Sequence, residues 1–388
     1  MKIAIEGQRL FRTKKHGMDM VVLELINELQ KIDHENEYVV FVKPDEDTET
    51  LKNTANFKIV ELAGGPYPTW EQFALPKAAK KEGCDILHCT SNTAPINPGM
   101  PLIVTLHDII YLEGISIFKK GGTWYQKFGN MYRRYVVPAV VKKSDKIITV
   151  SKFERNRIKE FFGLPQLDES LVAIYNGVTE HFAPVTDKAE LKRVKEKYKL
   201  PDRYFFFLGN TDPKKNTPGV LKAFSDYLKQ TKEDVYLVML DYEKQSLNNI
   251  LNDINAPELI DRIVLTGYVT NSDLPSIYNQ CEIFLYPSLR ESFGIPMLEA
   301  MRCGVPVITS NTSSMPEVSG GAAFIIDPYK PEEITNAIIE INANKQLREE
   351  LVEKGLKQAE KFSWKNMALE VLELYKSVYA KHQKNKND

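Results

Sequence analysis

Short runs of β-branched and aromatic residues alternate with longer amphipathic segments along almost the whole chain. Runs such as KIAIE (2–6) and LIVTL (102–106) are almost wholly apolar, which is typical of parallel strands buried on both faces. The segments between them, such as MDMVVLELINELQKI, repeat apolar residues three and four positions apart, as amphipathic helices do. The alternation predicts βαβ units, and therefore an α/β fold with doubly wound parallel sheets.

The predicted strands fall into two sets, separated by the segment NGVTEHFAPVTDK. They lie at 2–6, 38–42, 58–62, 102–106, 146–150 and 171–175, and then at 204–208, 235–240, 263–266, 283–286, 305–309 and 323–326. A chain of 388 residues is also too long for one ordinary core. We expect two Rossmann-like domains, residues 1–182 and 183–363, facing across a cleft, and a C-terminal helix (364–388) packing back on the first domain.

Composition narrows the functional classes. The formal net charge of −1 gives no electrostatic reason to expect a nucleic-acid partner. The four cysteines (Cys84, Cys89, Cys281 and Cys303) lack CxxC spacing, which favours reduced thiols over a disulfide framework or a zinc site. The start KIAIEG does not look like a signal peptide, and no window reaches the ~20 apolar residues of a membrane span. We therefore expect a cytoplasmic protein.

The stretch RESFGIPMLEAMRCGVPVITS places one glutamate, Glu291, before a Phe-Gly-Ile-Pro turn and a second, Glu299, inside the helix that follows. A helix beginning near Pro296 would present backbone N–H groups and the positive end of its dipole to an anion such as phosphate. Gly294 would let a ligand approach the backbone closely. Carboxylates on either side of this anion site would accept hydrogen bonds from the hydroxyl groups of a sugar. The alternative is that both glutamates are ordinary helix-capping residues.

Two further strand ends carry candidate site residues. The turn after 204–208 reads GNTDPKKNTPGV, with Lys215 as a cation suited to a leaving diphosphate and Asn216 or Thr217 as the helix cap. His107 directly follows the strand 102–106 and is expected at the ligand-binding edge of the sheet. His88, in DILHCTSN, also ends a strand, with a structural and a functional role equally open.

Several of these segments together resemble the glycosyltransferases group 1, the GT-B family with an E-x7-E motif that retains anomeric configuration. The resemblance rests on PSLRESFGIPMLEAMRCGVPVITS, SSMPEVSGGAAFIIDP, LTGYVTNSDLPSIYNQCEIFLYPS, TLHDIIYLEGI, KIITVSKFERNRI and IYNGVTEHFAP. It covers most of the chain from about 101 to 381. The first loop departs from the family, because RTKKHGMDM has one glycine where many members have a Gly-Gly turn.

The resemblance implies a role for each matching residue. Glu291 would contact the transferred hexose, Glu299 the ribose, and the amides of Phe293, Gly294 and Ile295 the phosphates and sugar. Further donor contacts are implied for Gly209, Asn210, Lys215, Gly267, Tyr268 and Val269, and a catalytic role for His107, Glu291 and Lys215. Asn210 stands where the family commonly has an arginine. A small polar residue there resembles the mannosyltransferase-like branch.

The resulting hypothesis is a metal- and cofactor-independent hexosyltransferase that uses a nucleotide-diphosphate sugar. GDP-mannose is favoured over a UDP-sugar as donor, and a saccharide or lipid-linked saccharide is the expected acceptor. The alternatives are a sugar-nucleotide hydrolase or epimerase of the same fold, or a nucleotide-sugar binding protein without catalysis. A nicotinamide dehydrogenase is disfavoured, because IEGQRL replaces a GxGxxG turn after the first strand.

Residues 119–146 form a basic and aromatic segment, with eight Lys or Arg against one Asp, a net charge of +7. Two interpretations are open. The segment is a core-packing helix with one solvated face, or it rests on an anionic membrane and brings the enzyme to a lipid-linked acceptor at the inner face.

Overall fold

The structure is a computed structural model that describes residues 1–113 and 124–387. The helices and strands in chain order are β1 (Lys2–Glu6), α1 (Gly17–Ile32), β2 (Glu37–Val42), β3 (Phe57–Glu61), α2 (Tyr67–Thr69), a π-helical turn (Trp70–Ala74), α3 (Leu75–Lys81), β4 (Ile86–Cys89), β5 (Leu102–Leu106), α4 (Trp124–Lys143), β6 (Lys146–Thr149), α5 (Lys152–Phe162), α6 (Leu167–Ser170), β7 (Leu171–Ala173), α7 (Lys188–Tyr198), β8 (Tyr204–Phe207), α8 (Thr217–Thr231), β9 (Tyr236–Met239), α9 (Lys244–Asp253), β10 (Ile263–Leu265), α10 (Leu274–Gln280), β11 (Ile283–Tyr286), α11 (Ile295–Arg302), β12 (Val307–Ser310), α12 (Met315–Ser319), β13 (Phe324–Ile326), α13 (Pro331–Ala343), α14 (Lys345–Ala359) and α15 (Trp364–Asn387).

The first compact unit comprises Met1–Asn176 and Trp364–Asp388. Among its described residues, seven parallel strands form a sheet in the order β3-β2-β1-β4-β5-β6-β7. The strand order reverses between β1 and β4, and ligands bind beyond the carboxyl ends of strands at such a point. Helix α15 packs against α1 in this unit.

The second compact unit is Gly177–Ser363. Its described strands form a six-stranded parallel sheet in the order β10-β9-β8-β11-β12-β13, the 3-2-1-4-5-6 order of the Rossmann fold. The reversal lies between β8 and β11. The loops that leave these two strands therefore emerge side by side.

The core of the second unit explains why its strands have so few polar residues. Phe205 and Phe207 of β8 face the helices on one side of the sheet and belong to a cluster with Val220 and Phe224 of α8. Phe206 points to the other side, where its ring lies 5.0 Å from that of Tyr278. Each fully buried aromatic side chain contributes roughly 1.5–3 kcal/mol, so both faces require apolar residues.

The predicted α/β class with two parallel sheets is confirmed. The bounds of the predicted strands differ from those of the observed strands by two residues at most. Strand β4 was missing from the predicted set, although His88 was expected to end a strand. Residues 114–123 lie outside the described residues, and so do the first five residues of the basic segment 119–146. Within 1–113 and 124–387, no helix has the length and the hydropathy needed to cross a membrane.

Candidate active site

The loops after β8 and β11 are tied together by Asn216. This residue precedes α8 with a left-handed backbone (φ 58°), and its side chain makes no capping hydrogen bond. Instead its Nδ2 donates to the carbonyl oxygens of Pro287, at 3.2 Å, and Pro328, at 2.7 Å. Asn216 is therefore at the predicted cap position but holds neighbouring loops in place instead of capping.

Lys215 and Glu291 form an ion pair across these two loops. Lys215 Nζ lies 2.6 Å from Glu291 Oε1, and the two side chains are only 15% and 11% exposed. The ammonium group also lies 3.4 Å from the hydroxyl of Tyr286 and 5.1 Å from its ring centroid. The structure thus brings together two residues that are 76 positions apart in the sequence.

The start of α11 has the backbone that an anion site requires. Gly294 precedes the helix with φ 99°, and a Cβ at this position would lie 2.6 Å from Cε of Met315. Only glycine fits both the backbone and the space. Ile295 and Pro296 open the helix. Proline has no N–H, and the Met297 N–H donates to the Gly294 carbonyl oxygen at 3.1 Å, so the N–H groups of Gly294 and Ile295 are the ones that an anion could contact here. The partial positive charge of these N–H groups lies at the N-terminal end of α11, and Glu291 precedes that end in the chain.

Glu299 lies within α11, where Tyr278 OH donates a hydrogen bond of 3.0 Å to its Oε2. Burial raises the pKa of this carboxyl to about 7, although the Tyr278 hydrogen bond acts in the opposite direction. The N-cap position of α11 belongs to Gly294. The interpretation of Glu291 and Glu299 as capping residues is therefore wrong: one is paired with Lys215 and the other with Tyr278.

Three hydroxyl residues after β12, Thr312, Ser313 and Ser314, support the Glu291 loop, and we call them the hydroxyl cluster. Ser313 Oγ accepts from the backbone N–H of Glu291 at 3.0 Å. Ser314 Oγ, which is fully buried, lies 3.0 Å from the carbonyl oxygen of Glu291 and 3.1 Å from that of Phe293. Thr312 Oγ1 lies 3.1 Å from the carbonyl oxygen of Leu289. The cluster thus fixes the backbone on both sides of Glu291.

The loop after β8 begins with Gly209 and Asn210. A Cβ at Gly209 would lie 2.2 Å from the ring of Phe207, so this position also requires glycine. The side-chain oxygen of Asn210 accepts from the backbone N–H of Asp212 at 2.9 Å and so shapes the turn. Lys214 Nζ lies 3.8 Å from Asp212. Lys215 and Asn216, further along this loop, contact the loop after β11 through their side chains, Lys215 at Glu291 and Asn216 at the Pro287 carbonyl oxygen.

The turn Gly267–Val269 follows β10, two strands away from β8 in the sheet. Gly267 has φ 68°, and its carbonyl oxygen accepts from Asp241 N–H at 3.1 Å. The side chain of Tyr268 is 75% exposed. Neighbouring strands lie about 4.8 Å apart, so the strands β10 and β8 themselves are about 10 Å apart. In the described part of the unit, no hydrogen bond joins this turn to Lys215, Glu291 or Glu299.

In the first unit, His107 directly follows β5 and is almost fully buried. Its backbone N–H donates to Asn92 Oδ1 at 2.6 Å, and its Nε2 lies 3.0 Å from the carbonyl oxygen of Thr90. A carbonyl oxygen only accepts, so Nε2 carries the hydrogen. Burial lowers the pKa of His107. The neutral ring therefore keeps Nδ1 as a hydrogen-bond acceptor.

His88 has a structural role. Its Nδ1 lies 2.6 Å from the hydroxyl of Tyr375 on α15, and its Nε2 lies 2.8 Å from Thr105 Oγ1. Both ring nitrogens thus have protein partners. Burial lowers the pKa of His88 to about 3, so the ring is neutral at physiological pH and joins α15 to the sheet.

Sequence reasoning missed Tyr278, Tyr286 and the hydroxyl cluster. Tyr286 is the last residue of β11, and the cluster follows the end of β12. For Tyr286 and the three residues of the hydroxyl cluster, the available signal was that they are polar residues at or just after the end of a strand. Tyr278 lies in the middle of α10, and no local pattern distinguishes it from a core tyrosine.

Among the described residues, no group of three or more His, Cys, Asp or Glu side chains is placed to hold a metal ion.

Two family models match the chain, one to each half. Residues 188–358 match the glycosyl transferases group 1, and residues 16–182 match Glycosyltransferase Family 4. The O-antigen chain mannosyltransferase B of Escherichia coli is 33% identical over 231 residues, which cover 59% of this chain and 60% of that protein. The serotype-specific mannosyltransferase WbdA of Escherichia coli is 32% identical over 234 residues, 59% of this chain and 28% of that protein. The chain thus spans less than two thirds of these relatives.

The fold is similar to that of solved glycosyltransferases. The crystal structure of Anabaena HepE in complex with UDP and glucose has a TM-score of 0.74 at 18% identity, with coverage of 97% of this chain and 100% of that one. At this identity the likeness concerns the fold. Glycosyltransferase models match both halves of the chain, residues 16–182 and 188–358, and each half contains a parallel sheet, so the chain belongs to the GT-B glycosyltransferases.

Proposed function

We propose that this chain transfers a hexose from a nucleotide-diphosphate sugar to a saccharide or lipid-linked saccharide, with retention of anomeric configuration. The observation that carries the proposal is the Lys215–Glu291 pair beside the start of α11. A cation, a carboxylate and helix amides are three groups that a diphosphate-linked sugar needs at its reacting end. All three lie at the strand-order reversal of a Rossmann-like sheet, where nucleotides bind.

In this proposal Lys215 and the amides at the start of α11 stabilise the charge that develops on the departing diphosphate. The bond between the anomeric carbon and the diphosphate oxygen breaks, and a bond to the acceptor oxygen forms on the same face. The proton of the acceptor hydroxyl passes to the departing diphosphate. Glu291 orients the hexose hydroxyls, and Glu299 accepts from the ribose. The Gly267–Val269 turn meets the nucleobase, since it follows a strand that lies two places from β8 in the same sheet.

We also propose that the reaction needs no metal ion, because Lys215 and the helix amides supply positive charge at the diphosphate. Turnover that is unchanged by EDTA would support this proposal. Loss of turnover with EDTA, followed by recovery with Mg²⁺ or Mn²⁺, would contradict it.

In the first unit, we propose that His107 accepts a hydrogen bond from a sugar hydroxyl through Nδ1. Its buried, neutral ring and the Thr90 hydrogen bond fix the tautomer that this role needs.

We also propose a cytoplasmic location, which the four free cysteines among the described residues support.

We propose GDP-mannose as the donor, ahead of UDP-sugars. The support is the small polar Asn210 and the mannosyltransferase names of the two curated relatives. The test is a thermal-shift screen against UDP-, GDP- and ADP-sugars, followed by product analysis with saccharide acceptors. GDP-mannose should raise the melting temperature most and be consumed only when an acceptor is present.

The same screen separates the alternatives. A hydrolase or epimerase of this fold would consume the donor without an acceptor. A binding protein would be stabilised by the donor without turnover. An absence of stabilisation by any nucleotide sugar would contradict all three functions.

A further inference from the structure

The exposed aromatic and basic surface of the first unit is not explained by the proposed reaction. Four large apolar side chains lie exposed there, Phe73 (71%), Phe128 (52%), Met131 (64%) and Tyr135 (76%). We call these four residues the apolar face. We propose that the apolar face, together with the basic residues around it, rests on an anionic lipid bilayer.

Three of the four residues form one stripe along α4. Phe128, Met131 and Tyr135 stand at positions i, i+3 and i+7, within about 60° of one another at 100° per residue. The opposite side of the helix is fixed in the core by a set of buried valines, Val136, Val137, Val140 and Val141. The helix is thus a core-packing element, as one interpretation of the sequence predicted, but its outer side also carries apolar residues where a solvated helix would be polar.

Phe73 belongs to the same surface because its helical turn is bonded to α4. Gln72 Nε2 donates to the hydroxyl of Tyr132 at 2.7 Å, and Tyr132 donates to the buried carboxylate of Glu71. Glu71 also accepts from Tyr67 OH at 2.6 Å and Thr93 Oγ1 at 2.5 Å. Gln72 and Glu71 directly precede Phe73 in the chain. These hydrogen bonds join the turn Trp70–Ala74 to α4, so we assign their exposed side chains to one surface.

Charge identifies the bilayer as the occupant. The sequence of α4 contains five Lys or Arg and no Asp or Glu, in a chain whose total charge is −1. Helix α3, which continues from the turn that carries Phe73, adds Lys77, Lys80 and Lys81. Aromatic and methionine side chains among cations favour the boundary between headgroups and acyl chains of an anionic membrane. A protein partner or a second copy of this chain would need an acidic counterpart.

The inference does not rest on the proposed reaction, and its test measures lipid binding directly. The full chain is sedimented with vesicles of phosphatidylcholine alone and with vesicles of equal parts phosphatidylcholine and phosphatidylglycerol. We expect binding to the anionic vesicles only, and release at high salt, because the basic residues act through a screened field. The double variant M131Q/Y135Q should bind at least about tenfold more weakly, since interfacial affinity scales with the buried apolar area.

The matched control is Tyr329→Gln, which removes an aromatic residue of similar exposure from the second unit and should bind as the wild type does. Equal thermal stability of the three proteins shows that they are folded. The proposal is overturned if the wild type ignores anionic vesicles, if M131Q/Y135Q binds like the control, or if the double substitution instead dissolves a dimer seen by light scattering.

Discussion

Lys215 Nζ and Glu291 Oε1 lie 2.6 Å apart, joining the loop after β8 to the loop after β11. Each side chain is the ionic partner of the other at the place where we expect the sugar and its diphosphate. A diphosphate at the start of α11 would compete with Glu291 for the ammonium group, and the hexose would compete with Lys215 for the carboxylate. The pair therefore keeps both charged side chains largely buried.

Replacement of Glu291 by glutamine is expected to lower turnover by orders of magnitude while the chain stays folded. The amide is nearly the same shape, but it cannot accept from hexose hydroxyls as an anion does. The measurement is the initial rate at saturating donor, with thermal unfolding as the check on folding. Near-normal turnover in the variant would refute the assignment of Glu291 to the donor sugar.

Replacement of Lys215 by methionine is expected to weaken binding of the free nucleoside diphosphate as well as turnover, because in the proposed reaction the cation contacts the leaving group both before and after transfer. Lys214→Met is the matched control, since Lys214 lies one residue away and is paired at 3.8 Å with Asp212. Calorimetric titration with GDP and UDP measures the effect. If K214M loses as much affinity as K215M, the general charge of the loop, and not Lys215, binds the diphosphate.

The raised pKa of Glu299, about 7, predicts a pH-dependent donor affinity. In the proposed donor complex the Glu299 carboxylate accepts from ribose hydroxyls. This charged form becomes populated as pH rises through 7, so donor affinity should increase about tenfold from pH 6 to pH 8. Stability should respond in the opposite direction. Because the pKa in the folded chain is above its ordinary value of 4.5, the folded state holds an extra proton between these values, and the contribution of Glu299 to stability falls as pH rises.

Two variants separate Glu299 from other groups that titrate near neutral pH. Glu299→Gln should remove the pH dependence of donor affinity between pH 6 and pH 8. Tyr278→Phe removes the hydrogen bond that lowers the pKa of Glu299 and should move the midpoint to higher pH. A midpoint unchanged in both variants would assign the titration to another group.

The hydroxyl cluster predicts a positioning role for Ser314. Ser314→Ala should lower kcat, because it frees the backbone that holds Glu291, and should cost about 1 kcal/mol of stability for the lost hydrogen bond. Ser319→Ala is the control, since Ser319 is equally buried but bonds to Pro316 within α12. If both variants lose a similar amount of stability but kcat falls only in S314A, the result supports a role of Ser314 in positioning Glu291. Equal kcat in the two variants would leave Ser314 with a purely structural role.

The neutral His107 predicts a flat pH response. His107→Gln should lower kcat, because the glutamine amide can still donate to the Thr90 carbonyl oxygen but offers no acceptor at the Nδ1 position. The wild-type rate should show no step near pH 6.5 from this residue. The burial that lowers its pKa moves its titration below the ordinary histidine range. The check is a pH–rate profile of both proteins at saturating donor, where a wild-type step near pH 6.5 that is absent in H107Q would contradict the neutral ring.

The sequence allowed the parallel sheets to be predicted because a strand buried on both faces must be apolar at nearly every position, as LIVTL and IFLY are. The short strand β4 was missing from the predicted set because ILHC contains a histidine, which only a specific pair of partners, Tyr375 and Thr105, makes acceptable in the core. Local chemistry also placed the start of α11, since glycine and proline restrict the backbone directly.

The candidate site was only partly predictable. Strand ends and the E-x7-E spacing pointed to Lys215, Glu291 and Glu299, but their pairing depends on which loops the sheet order brings together. The 3-2-1-4-5-6 order sets the loop after the first strand beside that after the fourth, and no local pattern encodes this order. The raised pKa of Glu299 likewise follows from burial around α11, which appears only after packing.

The last helix of the chain belongs to the first compact unit, where Val371, Tyr375 and Val378 are buried. Topologically, residues 177–363 are therefore an insertion within a domain that both chain ends build. During synthesis the ribosome delivers the complete inserted domain before it releases the helix that the outer domain still lacks. The domain that is synthesised first is consequently the one that is completed last. A premature stop near residue 363 would leave the inserted domain intact but would remove the helix that the outer domain needs to cover its core.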